Sequence, residues 1–221
     1  ATALGPRMFL WQRASVAVRN VKFGAAADSG SLVMGHYAGS ALPMWAVGKK
    51  YVLADNFFQG AFGGSFLNHI MLACACVPIY PHADTSPVKG QIAVVEPDGV
   101  TLKAADNSPP SALGGAPKFV NDGAITPDFY AVNTMQPPYQ PSANKPAEGG
   151  DKALADPAAP TTLPPQHEIT IGDLLSLKDI SWAWYSGAWQ ATLEGKNATP
   201  VPNFQFHHQP FNYFAAYAPG T

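Results

Sequence analysis

FGGSFLNHIMLACACVP, residues Phe62 to Pro78, joins a glycine turn to an apolar run that stops at a proline. Phe66 to Cys76 predicts a helix, ended by Val77-Pro78 because the residue before a proline is pushed out of the α region. Ser65 falls at its N-cap. Upstream, Tyr51 to Phe58 (YVLADNFF) predicts a strand, after which Gly60, Gly63 and Gly64 turn the chain. Leu42 to Lys50 (LPMWAVGKK) predicts a short helix, with proline near its first turn and lysines near its last. A serine where a turn meets a helix has its hydroxyl in front of free backbone N–H groups and the positive end of the dipole. Gly63 and Gly64 carry no side chains, so an anionic group can approach the backbone there. Asn68, three positions on, shares the helical face and can donate its amide to the same anion. Two roles are open for Ser65 on spacing alone: a favoured helix cap, or a nucleophile whose developing charge is held by helix and amide.

The bulk composition narrows the function classes. With 47% hydrophobic and only 13% charged residues, the 221-residue chain can bury a real core. A net charge of −2 and no basic run argue against nucleic acid or an anionic membrane as partner. No apolar stretch reaches the length of a membrane span. The chain begins with Ala1 and shows no signal-peptide layout, which is read as a processed or cut terminus. Cys74 and Cys76, separated by Ala75 alone, are expected to be buried free thiols. On one helix they would point to different faces, and a CxC pair is too sparse for zinc.

Proline distribution sets the organisation. Of 22 prolines, 16 lie from Pro78 to Pro165, so regular structure is expected mainly in the flanks. Three blocks follow: residues 1–77, a Pro/Gly-rich insertion over 78–167, and 168–221. Within the insertion, GQIAVVEPDGVTLKA carries two β-type runs around Pro97-Asp98-Gly99 and predicts a β-hairpin. The rest reads as loop, of the kind that rims a site or stays disordered. In the third block, ITIGDLLSLKD predicts an amphipathic helix capped by Thr170, and SWAWYSG a strand directly after it, the αβ half of an α/β unit. The final FQFHHQPFNYFAAYAPGT has no closing element and reads as cut.

His207 and His208 are the other residues placed for chemistry. Read as an extended segment, they point opposite ways, so one at most faces a given pocket; one could protonate a leaving group, and the other contact phosphate or a metal. The competing reading is a pair of surface histidines in an aromatic loop. His69 is expected to pack or cap, and His36, His82 and His167 have no company. Trp182 and Trp184 share one face of the predicted strand and read as core rather than as a sugar platform. Asn197-Ala198-Thr199 is a weak glycosylation signal, and no P-loop, dinucleotide glycine pattern or HExxH is present.

Four segments taken together, ADSGSLVMGHY, LADNFFQGAFGGSFLNHIMLACAC, ISWAWYSGAW and FHHQPFNYFAAYAPGT, resemble the bacterial acid phosphatase and phospholipase C phosphoesterases of the alkaline phosphatase superfamily. The resemblance implies an α/β, alkaline phosphatase-like sandwich, here partial, interrupted by the loop-dominated insertion. It implies that Ser65 is the nucleophile as well as a cap, that Asn68 and Gly64 bind substrate phosphate, and that His207 and His208 line the phosphate pocket. Serine in place of threonine leans toward the acid phosphatase branch, with phosphodiester cleavage by a phospholipase C, or a non-catalytic glycan-binding module, as rivals. The family's divalent metal would be held by an acidic Asn-type motif before the nucleophile and an acidic Gly-Gly segment near the C-terminus. Neither is present, so no metal ligand is assigned, the chain reads as an internal fragment, and it is expected to be inactive alone. A small phosphate ester as partner, and a periplasmic or secreted location, complete what the resemblance implies.

Overall fold

A computed structural model describes residues 39–54, 56–61, 63–99, 101–110, 115–195 and 204–221. The ADSGSLVMGHY segment, His36 and the Asn197 sequon lie outside the described residues.

Helix α1 spans Pro43–Lys50, with proline at its start, Lys49 and Lys50 in its last turn and no buried residue. Tyr51 to Phe58 makes no β-bridge among the described residues. Helix α2, Ser65–Cys74, is the element on which the core is built, burying Phe66, Leu67, Ile70, Met71 and Ala73. Ten residues are too few for a stable isolated helix. Its stability comes from that buried face, at about 1.5–3 kcal/mol for each large apolar side chain removed from water.

Two local expectations are corrected at the ends of α2. At the start, Gly64 is the N-cap, its carbonyl accepting the Asn68 N–H at 3.2 Å, and Ser65 is the first helical residue. At the end, the helix stops at Cys74, not Cys76. Ala75 takes a left-handed conformation (φ 51°, ψ 32°) that folds the chain back. Cys74 and Cys76 are thereby brought to a Cα separation of 5.1 Å and are joined in a disulfide, not free thiols. The expectation of unbridged cysteines assumed a helix running through both.

The proline-rich insertion is knitted by isolated bridges and side-chain hydrogen bonds. Around Pro97 a turn is closed by the Gly99 N–H on the Glu96 carbonyl (2.9 Å), flanked by the isolated antiparallel bridge Val95–Leu102. A small satellite core of Ala93, Leu102, Val95 and Phe119 sits beneath it. Among the described residues β-pairing is confined to isolated bridges.

Helix α3, Ile171–Ser176, opens on a capping box: Thr170 Oγ1 accepts the Asp173 N–H while the Asp173 carboxylate accepts the Thr170 N–H. Residues Trp182 to Tyr185 make no β-bridge, yet both tryptophans face Phe211, at 4.9 and 5.7 Å between ring centroids. After helix α4, Trp189–Leu193, the chain ends in three short 3₁₀ turns, Phe206–His208, Pro210–Tyr213 and Ala215–Tyr217. The main core draws on all three blocks. Phe66, Leu67 and Ile70 of α2 meet Ile125, Met135 and Leu163 of the insertion and Tyr213 and Phe214 of the terminal segment. The rings of Phe66 and Tyr213 meet edge-on at 5.5 Å.

Candidate active site

The start of α2 is presented by a loop that one side chain holds in place. Asn68 Nδ2 donates to the carbonyls of Ala61, Gly63 and Gly64 at 3.1 Å each, and its Oδ1 accepts the Ala61 N–H at 3.0 Å. The carboxamide is therefore spent on the glycine loop. It leaves the first N–H groups of α2 untouched, and no side chain caps them. Ser65 stands exposed at that end, its hydroxyl making no hydrogen bond to a described residue. Gly64 is extended (φ −73°, ψ −177°), and the space where a Cβ would sit is open. The helix terminus is thus bare, positively polarised and accessible, with a hydroxyl at its tip.

One turn along, His69 Nδ1 donates to the Ser65 carbonyl at 2.7 Å. A carbonyl only accepts, so in the neutral ring the proton sits on Nδ1 and the Nε2 lone pair is free. The 3₁₀ turn Phe206–His208 packs against this helix. His208 stacks on His69 with centroids 4.5 Å apart and planes 8° from parallel, and His207 stands edge-on to His208, also at 4.5 Å. Burial lowers the pKa of His207 below its ordinary 6.5, and the charges of His208 and His69 lower it further. Burial, then His69, does the same for His208. Both shifts bias the imidazoles toward the neutral form.

The structure thus brings His207 and His208 together on a 3₁₀ turn, not on an extended segment. Only His208 of the pair lines the adjoining cleft, a space of 440 Å3 bordered also by His69, Trp184, Tyr185 and Ser186. Ser65 does not itself line it; His69 links it to the cleft along α2. His69 is the residue whose place in the site the sequence reading missed. Its signal was the four-residue offset from Ser65, which sets both on one face of a helix.

The first turn of α2 has no acidic residue, and among the described residues no three His, Cys, Asp or Glu side chains are placed to share an ion. The stacked rings of His69 and His208 present faces to each other, not lone pairs to a common point. Among the described residues no helix is long and apolar enough to cross a membrane.

No curated protein and no solved structure gives a significant match to the chain. A model of the phosphoesterase family, however, matches residues 10–221. That span takes in the bare α2 terminus, the Asn68-held loop and the histidine turn packed on them, so the arrangement lies within the matched region rather than beside it. With the match covering nearly the whole chain, this protein belongs to the phosphoesterase family, a family of hydrolases.

Proposed function

We propose that the protein hydrolyses phosphomonoesters through Ser65, in the manner of an acid phosphatase, with a phosphoserine intermediate. The observation that carries this reading is the start of α2 without a side-chain cap, with a serine hydroxyl at its tip that bonds to no described residue. In the first step Ser65 Oγ bonds to phosphorus and the bond from phosphorus to the ester oxygen breaks. The serine proton passes to the leaving alcohol, carried by an imidazole of the His207–His208 pair. Neutral imidazoles are in the right state to pick it up. In the second step water adds to phosphorus, the bond to Oγ breaks, the water's proton restores the Ser65 hydroxyl, and inorganic phosphate departs. The phosphoryl oxygens lie against the free N–H groups of the first α2 turn, over the open face of Gly64. A single donor of this kind is worth about 10²–10³ in rate.

Metal dependence enters through the family resemblance, with ligands supplied from outside the described residues; no step above is routed through the ion. Chelation is expected to remove activity, and a divalent salt to restore it. Export to the periplasm or medium belongs to the same reading and is supported by the Cys74–Cys76 disulfide, since disulfides persist mainly in oxidising compartments.

The deciding experiment is Ser65→Ala in the full-length protein, assayed on an aryl phosphate with divalent metal present. Turnover is expected to vanish while the melting temperature and far-ultraviolet circular dichroism hold, and phosphoserine trapped in acid from the parent should be missing from the variant. Activity within a few-fold of the parent removes Ser65 from the mechanism.

A further inference from the structure

The cleft holding His69 and His208 continues into a second space of 450 Å3, the two sharing Trp184, Tyr185, Ser186 and Gln209. Trp189, Phe211 and Tyr217 wall the far part. Trp184 and Tyr217 meet the Phe211 ring edge-on, at 5.7 and 5.2 Å, and fix the back of the space. Tyr185 stands at the mouth, 92% exposed, beside Trp184 at 40%.

Three polar side chains at the back of this wall, Gln209, Asn212 and Tyr217, are already engaged. Gln209 Oε1 accepts the Trp184 indole N–H at 3.1 Å and its Nε2 donates to the Gln205 carbonyl. Asn212 Nδ2 donates to the carbonyls of Tyr139 and Pro141. The Tyr217 hydroxyl is bound to Thr170 and Asp173. No charged side chain is among the described lining residues. A polyol entering the far part would find, among the described side chains, only the Tyr185 and Ser186 hydroxyls at the mouth to replace its many water hydrogen bonds. A cationic head group would meet no carboxylate among those lining residues. Ring faces are what the space offers, and its size falls within the range of small-molecule sites, about 300–1,000 Å3.

We propose that this aromatic cleft is the leaving-group subsite, taking the ring of an aromatic phosphomonoester whose phosphate lies toward His208 and the start of α2. The inference rests on the hydrolysis proposed for Ser65, but its test does not need turnover. Calorimetric titration compares 2-naphthylphosphonate, methylphosphonate and 2-naphthol on the parent protein and on Tyr185→Ser and Trp184→Leu. The naphthyl phosphonate is expected to bind at least about tenfold more tightly than its methyl counterpart, and 2-naphthol to bind saturably. Tyr185→Ser, at an exposed side chain, should keep the fold and weaken both naphthyl ligands by about tenfold. Equal affinities for the two phosphonates, or naphthol binding that neither substitution changes, overturns the subsite. The two readings fail separately. Ring-selective binding with full turnover in Ser65→Ala leaves an aromatic cleft without its nucleophile. Turnover lost in Ser65→Ala with ring-indifferent binding leaves the nucleophile without its subsite.

Discussion

Asn68 is tied to Ser65 through the loop that presents it. Its carboxamide makes four hydrogen bonds to the backbone of Ala61, Gly63 and Gly64, and these set the angle at which the chain enters α2. Each is worth about 0.5–1.5 kcal/mol net, and they are not additive. Asn68→Ala should therefore lower stability by about 2 kcal/mol and activity with it, read by urea unfolding and by turnover on one sample. Activity lost at unchanged stability would instead make Asn68 a direct phosphate contact, as the family resemblance implies. Gly172 presents the opposite problem, too little room. A Cβ there would meet the Trp182 ring and lie 2.8 Å from the Tyr217 hydroxyl. Replacing glycine by alanine in a helix favours the helix by up to about 1 kcal/mol. Overpacking costs about 1–3 kcal/mol, and here it falls on an aromatic wall already braced by Phe211. Overpacking wins, and Gly172→Ala is expected to lower the melting temperature.

The pairing of α2 with the Phe206–His208 turn makes stability depend on pH. Folding lowers the pKa of His207 and His208 below 6.5, so between that value and the folded ones the unfolded chain binds more protons. Stability is then complete above about pH 6.5 and falls as pH drops through the window toward the depressed folded pKa values. Urea midpoints between pH 7.5 and 5 should show that fall, and His208→Gln should flatten it; an unchanged slope would mean that the stack does not titrate this way. This pairing also marks where local reading runs out. Helices α1, α2 and α3 were legible because their signals are local: Pro43 at one start, Pro78 beyond one end, Thr170 with Asp173 at another. The stack of His69 on His208 was not, since nothing near either residue states that a distant turn returns to α2. Nor was the disulfide. It depends on Ala75 adopting a left-handed conformation, which non-glycine residues seldom take. In the sequence Trp182 and Trp184 read as one strand face and as core; both rings do meet Phe211, but from a segment that is not a strand, and Trp184 is exposed and lines the cleft beside His208, a tertiary fact.

An insertion so rich in proline could have hung off the molecule as a separate loop, but its buried residues stand in the same core as α2 and the terminal turns. Gln166 shows how the three blocks are tied. Its side chain takes the Ile79 N–H at 2.8 Å and donates to the carbonyls of Ile79 and Pro164 at 3.0 and 2.7 Å. Its own N–H binds the Tyr213 carbonyl, and its carbonyl accepts the Ala215 N–H. A buried carboxamide with every group matched, it joins the exit of α2, the end of the insertion and the closing turns. Gln166→Met keeps the volume but leaves the half-buried Ile79 N–H and carbonyl without their Gln166 partners, at up to about 1–3 kcal/mol for each polar group stranded. If the blocks share one cooperative unit, the variant melts several degrees earlier, and far-ultraviolet dichroism and tryptophan fluorescence shift together because both report the same transition. Separated transitions, with the tryptophans of the third block unmoved, would show that the insertion unfolds alone. The Ser65 site would then depend only on α2 and the turn packed against it. In the coincident case, a single buried glutamine outside the Ser65 site governs how long that site survives.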